Sequence, residues 1–431
     1  MSLRRCILLL LDGLADRAHS VLDNKTPLQA ADTPNLDYLA KKGLCGLMHA
    51  ARPGVPLPSE IAHFAIFGYG KEFPGRGPLE ALGAGIDLTP GEVAVLARLV
   101  SVEVKNGGLY ILEDKFNITD EEKEAIFSAI PRVSTEEIEI SFKPISGVRG
   151  VLLLKGKVSS HFSDIDPLKK NAPVFEIEPL CSETNTLKTV RALKDYLIQV
   201  WRTLEKHPVN EKRRQKGLPP LNFLITHRAG MMGKVEPFPE RWGLSAATIS
   251  SGVIYWGIGK YLGFHVEKAK EIGNVAEEFS WRLKRLRELS DGFSFIHVHH
   301  KGPDEAAHRK DPVLKKQVIE ALDAVIGENL DWLTSPENLL VVTSDHATPS
   351  SGPLVHGGEP VPILIYGAGL WQDKVNEFSE IACAEGALGR IEAKDFMYLI
   401  LNFLETAVLG GLCYGKVPRP YFPKKTKIFK V

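Results

Sequence analysis

The sequence predicts an α/β fold with a mostly parallel sheet and a smaller α+β module inserted into it. Runs rich in Leu, Ile and Val alternate with helix-like segments along most of the 431 residues. This alternation is typical of parallel or mixed sheets covered on both faces. Between residues 88 and 175 the pattern changes to closely spaced strands, which indicates a separate module. We therefore expect a catalytic core made of residues 1–87 and 176–431, and a cap or substrate domain made of residues 88–175.

The core elements are recognised by apolar runs that are bounded by capping or turn residues. Thr33 and Pro34, for example, provide the start of a helix and Gly43 its stop. The predicted strands are 6–11, 221–225, 294–298, 339–342 and 361–366. The predicted helices are 35–42, 184–206, 245–263 and 275–289. A proline-rich loop, 52–58, leads to Ser59 at the start of a further helix.

The inserted module begins with a hairpin signal. Two apolar runs, 93–104 and 109–116, flank the sequence Asn-Gly-Gly at 106–108, which is a typical turn between antiparallel strands. A charged helix is predicted over 120–129, and two more strands over 138–142 and 150–154.

Composition places limits on partners and compartment. The chain has 53 basic and 53 acidic residues, so no overall charge favours nucleic acid or an anionic membrane. The five cysteines are scattered and never form a Cys-x-x-Cys pair, which is typical of reduced thiols in a cytoplasmic protein. The N-terminal apolar run, 6–11, is too short to be a signal peptide or to span a bilayer. We expect a cytoplasmic protein that acts on a small molecule, and a homo-oligomer is left open.

Potential metal ligands follow three of the predicted strands. Asp12 follows the strand 6–11, Asp345 and His346 follow 339–342, and Asp304 and His308 follow 294–298. The carboxyl ends of strands are where open α/β sheets build their sites. Asp304 and His308 are also four residues apart, so they share one face of a helix. With His356, in a glycine-flanked loop before strand 361–366, six side chains form a candidate ligand set.

These residue types suit phosphoryl transfer at a pair of divalent ions. Two such ions can hold both the attacking and the leaving oxygen of the reaction. Carboxylates offset their charge, and imidazoles favour Mn²⁺, Co²⁺ or Zn²⁺, with Mg²⁺ as an alternative. A serine hydroxyl needs a metal or a base to become a nucleophile, which points to Ser59 as both nucleophile and ligand. Arg76, Arg228 and Lys301 are candidate cations for the phosphoryl group.

Several segments, in order, resemble the archaeal-type cofactor-independent phosphoglycerate mutases. The segments that show this resemblance are Asp12-Gly13, 25–36, 75–85, 207–210, 301–308, 345–349, 378–380 and 386–390. That family belongs to the alkaline phosphatase superfamily, so the resemblance implies a three-layer core. It also implies that Asp12, Ser59, Asp345 and His346 bind one metal, and that Asp304, His308 and His356 bind the other. Ser59 would become a phosphoserine, and Asp166 resembles a residue near the substrate.

The sequence departs from the family pattern close to the expected substrate. Ser59 is followed by Glu60 and Ile61 instead of a smaller, more polar pair, and Arg228 is displaced by one position. Three functions therefore stay open at this point. The first hypothesis is that the chain is a phosphoglycerate mutase. The second is that it is a related metal-dependent phosphohydrolase or phosphotransferase. The third is a metal-binding protein without catalysis.

Overall fold

The chain divides into two compact units in the computed structural model, which describes residues 5–423 and 429–430. The first unit comprises the chain up to Phe73 and from Val235 onward, and the second comprises Pro74–Lys234. In chain order, the strands are β1 (Arg5–Leu11), β2 (Leu44–His49), β3 (Val93–Lys105), β4 (Gly108–Glu113), β5 (Val133–Ser134), β6 (Ile138–Ser146), β7 (Arg149–Gly156), β8 (Phe223–Met231), β9 (Ala246–Ser250), β10 (His265–Lys268), β11 (Phe295–His300), β12 (Asn338–Thr343), β13 (Val361–Tyr366) and β14 (Gly389–Glu392). The helices are α1 (Pro27–Ala30), α2 (Pro34–Lys42), α3 (Ser59–Ile66), α4 (Arg76–Gly83), α5 (Asp120–Ala129), α6 (Thr184–Glu205), α7 (Pro208–Gln215), α8 (Phe238–Trp242), α9 (Val253–Leu262), α10 (Val275–Leu289), α11 (Gly302–His308), α12 (Pro312–Glu328), α13 (Leu330–Leu333), α14 (Glu380–Cys383) and α15 (Phe396–Phe403).

The first unit is built on a sheet of eight strands within the described residues, in the order β10-β9-β11-β1-β12-β13-β2-β14. The first five strands in this order, β10, β9, β11, β1 and β12, are mutually parallel. β13 is antiparallel to both of its neighbours, and β14 is parallel to β2. β1 is buried along its whole length, as its apolar sequence predicts. The mostly parallel sheet is therefore confirmed.

Helices cover both faces of this sheet. On one face, Leu9 of β1 belongs to a core with Leu36 of α2, Phe279 of α10 and Leu322 of α12. On the other face, the ring of Phe295 in β11 packs against aromatic side chains near α3 and α9. The first unit therefore has the three-layer arrangement that the alkaline-phosphatase-like fold class implies.

The second unit is built on an antiparallel sheet. Its path is β4-β3-β7-β6-β5, and β8 also pairs with β3. The β3–β4 hairpin turns through Asn106 and Gly107, both with positive φ, as the Asn-Gly signal predicts. The apolar face of α6, with Leu193, Leu197 and Val200, belongs to the core of this sheet.

The predicted bounds of the inserted module, 88–175, are too narrow. The second unit spans 74–234, because the apolar face of α6 packs in its core and β8 completes its sheet through β3. The helix predicted at 184–206 and the strand predicted at 221–225 therefore lie in the second unit and not in the core. Those pairings join segments far apart in sequence, and local patterns do not reveal them.

The single helix predicted over 245–263 is wrong. The segment forms β9, which lies between β10 and β11, and then α9. Gly252, at φ +96°, separates the two elements. β9 is buried throughout, and short strands buried on both faces are easily mistaken for helix. Within the described residues, no helix combines the length and apolar character needed to cross a bilayer.

Candidate metal centre

Three adjacent parallel strands bring the predicted ligands to one edge of the sheet. β1 lies between β11 and β12, and all three run in the same direction. Asp12 directly follows β1, Asp345 follows β12, and Asp304 lies on α11, which follows β11. The two predicted ligand sets form two clusters, and within each the candidate ligand atoms lie within 4.8 Å of one another. We call Asp12, Asp345 and His346 the inner cluster, and Asp304, His308 and His356 the outer cluster.

Ser59 contacts the inner cluster directly. Its Oγ lies 2.9 Å from Nε2 of His346. Ser59 is the first residue of α3 and Pro58 occupies the N-cap position, so Ser59 is not the capping residue. A purely structural capping role, common for serine at this place in a helix, is therefore absent. The hydroxyl instead points towards the inner cluster, with the N-terminus of α3 beside it.

Hydrogen bonds define which nitrogen of His346 can bind a metal. The hydroxyl of Thr348 donates to Oδ1 of Asp304 at 2.7 Å, so it accepts from Nδ1 of His346 at 3.1 Å. Nδ1 therefore carries the proton, and the lone pair of Nε2 faces Ser59. The same bonds join the two clusters, because Thr348 contacts one member of each.

The inner cluster fits a divalent cation. Oδ1 of Asp12 and Oδ2 of Asp345 are buried and have no hydrogen-bond partner among the described residues. Nε2 of His346 lies only 3.4 Å and 3.3 Å from these two oxygens. Burial and the nearby Asp12 carboxylate raise the pKa of Asp345 well above its usual range. Two buried carboxylates with unused oxygens, an imidazole lone pair and a hydroxyl are a suitable donor set for a metal ion.

The outer cluster is more open to solvent and has a similar composition. Nε2 of His308 lies 3.2 Å from Oδ2 of Asp304, and Nε2 of His356 lies 3.8 Å from Oδ1. The hydrogen bond with Asp304 raises the pKa of His308. Although burial opposes it, the hydrogen bond with His308 and nearby imidazoles hold the pKa of Asp304 well below its usual range. Nδ1 of His356 donates to the carbonyl of Leu57 at 2.7 Å, which leaves Nε2 as the ligand atom.

Gly13 allows the two clusters to come close together. Its φ is +63°, and a Cβ atom there would lie 2.5 Å from Oγ1 of Thr348 and 2.8 Å from the side chain of Asp304. Only glycine combines this backbone conformation with so little space.

Sequence reasoning missed the residues that support Asp12. Oδ2 of Asp12 accepts from the hydroxyl of Tyr255 at 2.8 Å and lies 3.1 Å from Nε2 of His299. Tyr255 carried no signal, because its segment was assigned to one long helix. His299, in β11, is buried as well as in contact with Asp12. The neighbouring His300 instead accepts a hydrogen bond from Gly302 at the start of α11.

His63, four residues after Ser59, was also missed. It is buried, and its Nδ1 donates to the Ser59 carbonyl at 2.8 Å and lies 3.6 Å from Oδ2 of Asp345. Burial lowers its pKa, so the ring is neutral beneath the inner cluster. The four-residue spacing on a helix could have indicated this contact.

The predicted substrate-binding residues are divided between the units. Lys301 lies in the first unit, just before α11, and its Nζ contacts Glu271 at 2.7 Å. The other three lie in the second unit. Asp166 is buried and bound by Nε and Nη2 of Arg98 at 2.9 Å and 3.1 Å. Arg228 has φ +54° and donates its backbone N–H to Asp164 at 2.7 Å. Arg76 begins α4 and pairs with Glu80 at 2.6 Å.

Together the fold and the two clusters define a class: an α/β enzyme with a serine at a centre suited to divalent metals. A family model described as 2,3-bisphosphoglycerate-independent phosphoglycerate mutase matches residues 40–210. The 2,3-bisphosphoglycerate-independent phosphoglycerate mutase 2 of Methanocaldococcus jannaschii is 41% identical over 98% of this chain and 99% of its own length. The chain therefore belongs to the family of 2,3-bisphosphoglycerate-independent phosphoglycerate mutases.

Two solved structures have the same fold along nearly the whole chain. One is a Pyrococcus horikoshii protein, at 29% identity and a TM-score of 0.77, covering 95% of this chain and all of the other. The other is a cofactor-independent phosphoglycerate mutase from Thermoplasma acidophilum, at 28% identity and a TM-score of 0.68. This second match covers 94% of the present chain and the whole of the Thermoplasma acidophilum chain.

Proposed function

We propose that this enzyme interconverts 2- and 3-phosphoglycerate through a phosphoserine at Ser59. Family membership supports the reaction. The observation that carries the residue assignment is the position of the Ser59 hydroxyl, 2.9 Å from Nε2 of His346 and beside unused carboxylate oxygens of the inner cluster.

In the first step, Oγ of Ser59 forms a bond to phosphorus and the bond between phosphorus and the glycerate oxygen breaks. The hydroxyl of Ser59 loses its proton as this bond forms, and the released glycerate oxygen gains a proton, so the number of protons in the site is unchanged. In the second step the other hydroxyl of the same glycerate loses its proton and forms a bond to phosphorus, while the bond between phosphorus and Ser59 breaks and Oγ regains a proton. Divalent ions, when bound, would lower the pKa of the serine hydroxyl and offset the charge of the phosphoryl group.

The chain's own contacts prepare Ser59 for this role. The N-terminus of α3 places a partial positive charge where the anionic phosphoryl group would sit. His63 accepts no proton from Ser59, but it holds the Ser59 carbonyl and so fixes the first turn of α3. The hydroxyl is thereby aimed at the inner cluster and not at solvent.

We further propose one ion in each cluster. The inner ion would be held by Asp12, Ser59, Asp345 and His346, and the outer ion by Asp304, His308 and His356. Three imidazoles across the two sets favour Mn²⁺, Co²⁺ or Zn²⁺ over Mg²⁺.

Substrate binding is proposed for Arg76, Asp166, Arg228 and Lys301. Guanidinium and ammonium groups suit the phosphate and carboxylate of the substrate. Asp166 would act by holding Arg98, since both of its oxygens are engaged by that side chain. A cytoplasmic location is also proposed, supported by five cysteines that are all free thiols.

The test compares two reactions of the full-length protein loaded with Mn²⁺. Conversion of 3-phosphoglycerate is followed by coupling 2-phosphoglycerate to enolase, and phosphate release is followed with p-nitrophenyl phosphate. We expect flux to 2-phosphoglycerate with little free phosphate. Rapid phosphate release from many esters, with no 2-phosphoglycerate formed, would replace the mutase assignment by a hydrolase. Full metal loading without any turnover would indicate a binding protein.

A further inference from the structure

A third group of metal-ligand side chains lies in the second unit, outside the candidate active site. His161, Cys181 and Glu183 each offer one ligand atom, and the three atoms lie within 4.8 Å of one another. The imidazole of His161 and the carboxylate of Glu183 make no other hydrogen bond or ion pair with the described part of the chain. Both are exposed to solvent, and Cys181 is half-buried.

The backbone holds these residues next to each other. The amide of Leu180 donates to the carbonyl of His161 at 2.9 Å, and the amide of Ser163 donates to the carbonyl of Glu178 at 2.9 Å. These two hydrogen bonds join the loop segment 161–163 to the loop segment 178–180, which directly precedes Cys181. These bonds fix the spacing of the two backbone segments, so that rotation of the side chains alone can bring the ligand atoms of His161 and Cys181 together.

The start of α6 supplies the rest of the frame. Glu183 is the N-cap of this 22-residue helix, but its side chain makes no capping hydrogen bond. Sγ of Cys181 lies 3.2 Å from the hydroxyl of Thr186, which is buried and bonded to Ser159 at 2.8 Å. The helix N-terminus carries a partial positive charge, which suits anionic ligand groups at this place.

The mixture of donors selects the type of ion. A thiolate and an imidazole suit Zn²⁺ and related borderline metals, while Ca²⁺ and Mg²⁺ need oxygen ligands. With zinc bonds of roughly 2.0–2.3 Å, ligand atoms in a tetrahedral site are about 3.3–3.7 Å apart. The exposed side chains of His161 and Glu183 can close the remaining distance by rotating.

We propose that His161, Cys181 and Glu183 bind a Zn²⁺ or Co²⁺ ion, with water as the fourth ligand. This ion is separate from the two at the candidate active site. It would join the loop at 161 to the beginning of α6 and so stabilise the second unit.

Cobalt spectroscopy tests the site, because only this cluster contains a thiol. The full-length protein is stripped of metal and titrated with Co²⁺, and the near-ultraviolet charge-transfer band of a cobalt–thiolate bond is recorded. We expect the band in the unmodified protein and in the Cys413→Ser control, which removes an exposed cysteine elsewhere. The Cys181→Ser variant should lose the band and bind one ion fewer. No band in the unmodified protein, or a band that persists in Cys181→Ser, would overturn the proposal.

Two further variants test the other ligands. His161→Ala and Glu183→Gln should each weaken Zn²⁺ binding at this cluster, measured by competition with a zinc-binding dye. Both residues are exposed, so circular dichroism should show an unchanged fold. As a control, Asp304→Asn should weaken binding at the outer cluster and leave the cobalt–thiolate band in place. Loss of the thiolate band in Asp304→Asn, or unchanged Zn²⁺ binding in both ligand variants, would contradict a separate site.

Discussion

At the scale of single residues, the proposed metal centre depends on how Asp12 is oriented. Tyr255 and His299 both engage Oδ2, so Oδ1 is left facing the inner cluster. Residues that hydrogen-bond to a metal ligand in this way fix the direction of that ligand and tune its affinity for metal. The sequence revealed Asp12 through its place after an apolar strand. It did not reveal Tyr255, because nothing local links that residue to a strand end far away in the chain.

The Tyr255→Phe variant should therefore bind metal about 10- to 100-fold more weakly while remaining folded. The measurement is competition for Mn²⁺ with a fluorescent chelator. Tyr69→Phe is a matched control, because Tyr69 is also buried and donates one hydrogen bond, to the carbonyl of Glu236. Equal metal affinity in the two variants would show that the Asp12 contact has no positioning role.

At the scale of elements, a buried ion pair fixes the loops that carry the proposed ligands. Nζ of Lys315, on α12, lies 3.0 Å from Oδ2 of Asp16 and also donates to the carbonyls of Ala15 and Thr348. Ser350 adds a further hydrogen bond to Asp16. The helix α12 is therefore attached both to the loop after β1 and to the loop after β12. Removing one partner of a buried, hydrogen-bonded pair leaves the other charge without compensation.

The Lys315→Met variant should lower the free energy of unfolding by about 3–5 kcal/mol at neutral pH, measured in urea. Lys316→Met is the control: its partly exposed pair with Glu320 should contribute less than about 1 kcal/mol. Comparable losses in the two variants would contradict the role assigned to Lys315.

The same pair has a predictable pH dependence. Burial alone would raise the pKa of Asp16, but Lys315 and the hydrogen bonds from Ser350 and Arg17 hold it below its usual range. A lowered folded-state pKa stabilises the protein above the unfolded-state pKa of about 3.9, and this contribution is lost as the pH falls further. The difference in unfolding free energy between wild type and Lys315→Met should therefore be full at neutral pH and shrink below about pH 4. If this difference in unfolding free energy instead grew as the pH fell, the role assigned to the Asp16–Lys315 pair would be contradicted.

At the scale of the whole molecule, sequence patterns indicated the α/β core, the antiparallel module and the strand ends that carry the ligands. They could not give the module's limits, because β8 reaches its place by pairing with β3, across more than a hundred residues. Nor could they separate β9 from α9, since a strand buried on both faces shows no apolar–polar alternation. Local periodicity thus located the candidate site more accurately than it located the unit boundaries.

Metal removal should affect the stability of the protein as well as its activity. An ion that binds only the folded state adds about 2.7 kcal/mol when its free concentration is 100 times its dissociation constant. Chelator should therefore lower the unfolding temperature in calorimetry and abolish turnover, and Mn²⁺ should restore both. The Asp345→Ala variant, which lacks an inner-cluster ligand, should show a smaller response to Mn²⁺. An unfolding temperature indifferent to chelator and to added metal would exclude a resident metal centre.

The central claim is that Ser59 carries the phosphoryl group, and trapping the phosphoserine tests it most directly. The full-length enzyme is mixed with 3-phosphoglycerate, quenched in acid within milliseconds and analysed by peptide mass spectrometry. We expect phosphate on the peptide that contains Ser59, and neither phosphate there nor mutase turnover in Ser59→Ala, whose fold and outer-cluster metal should be retained. Full mutase activity in Ser59→Ala, or phosphate trapped on a different residue, would contradict the account.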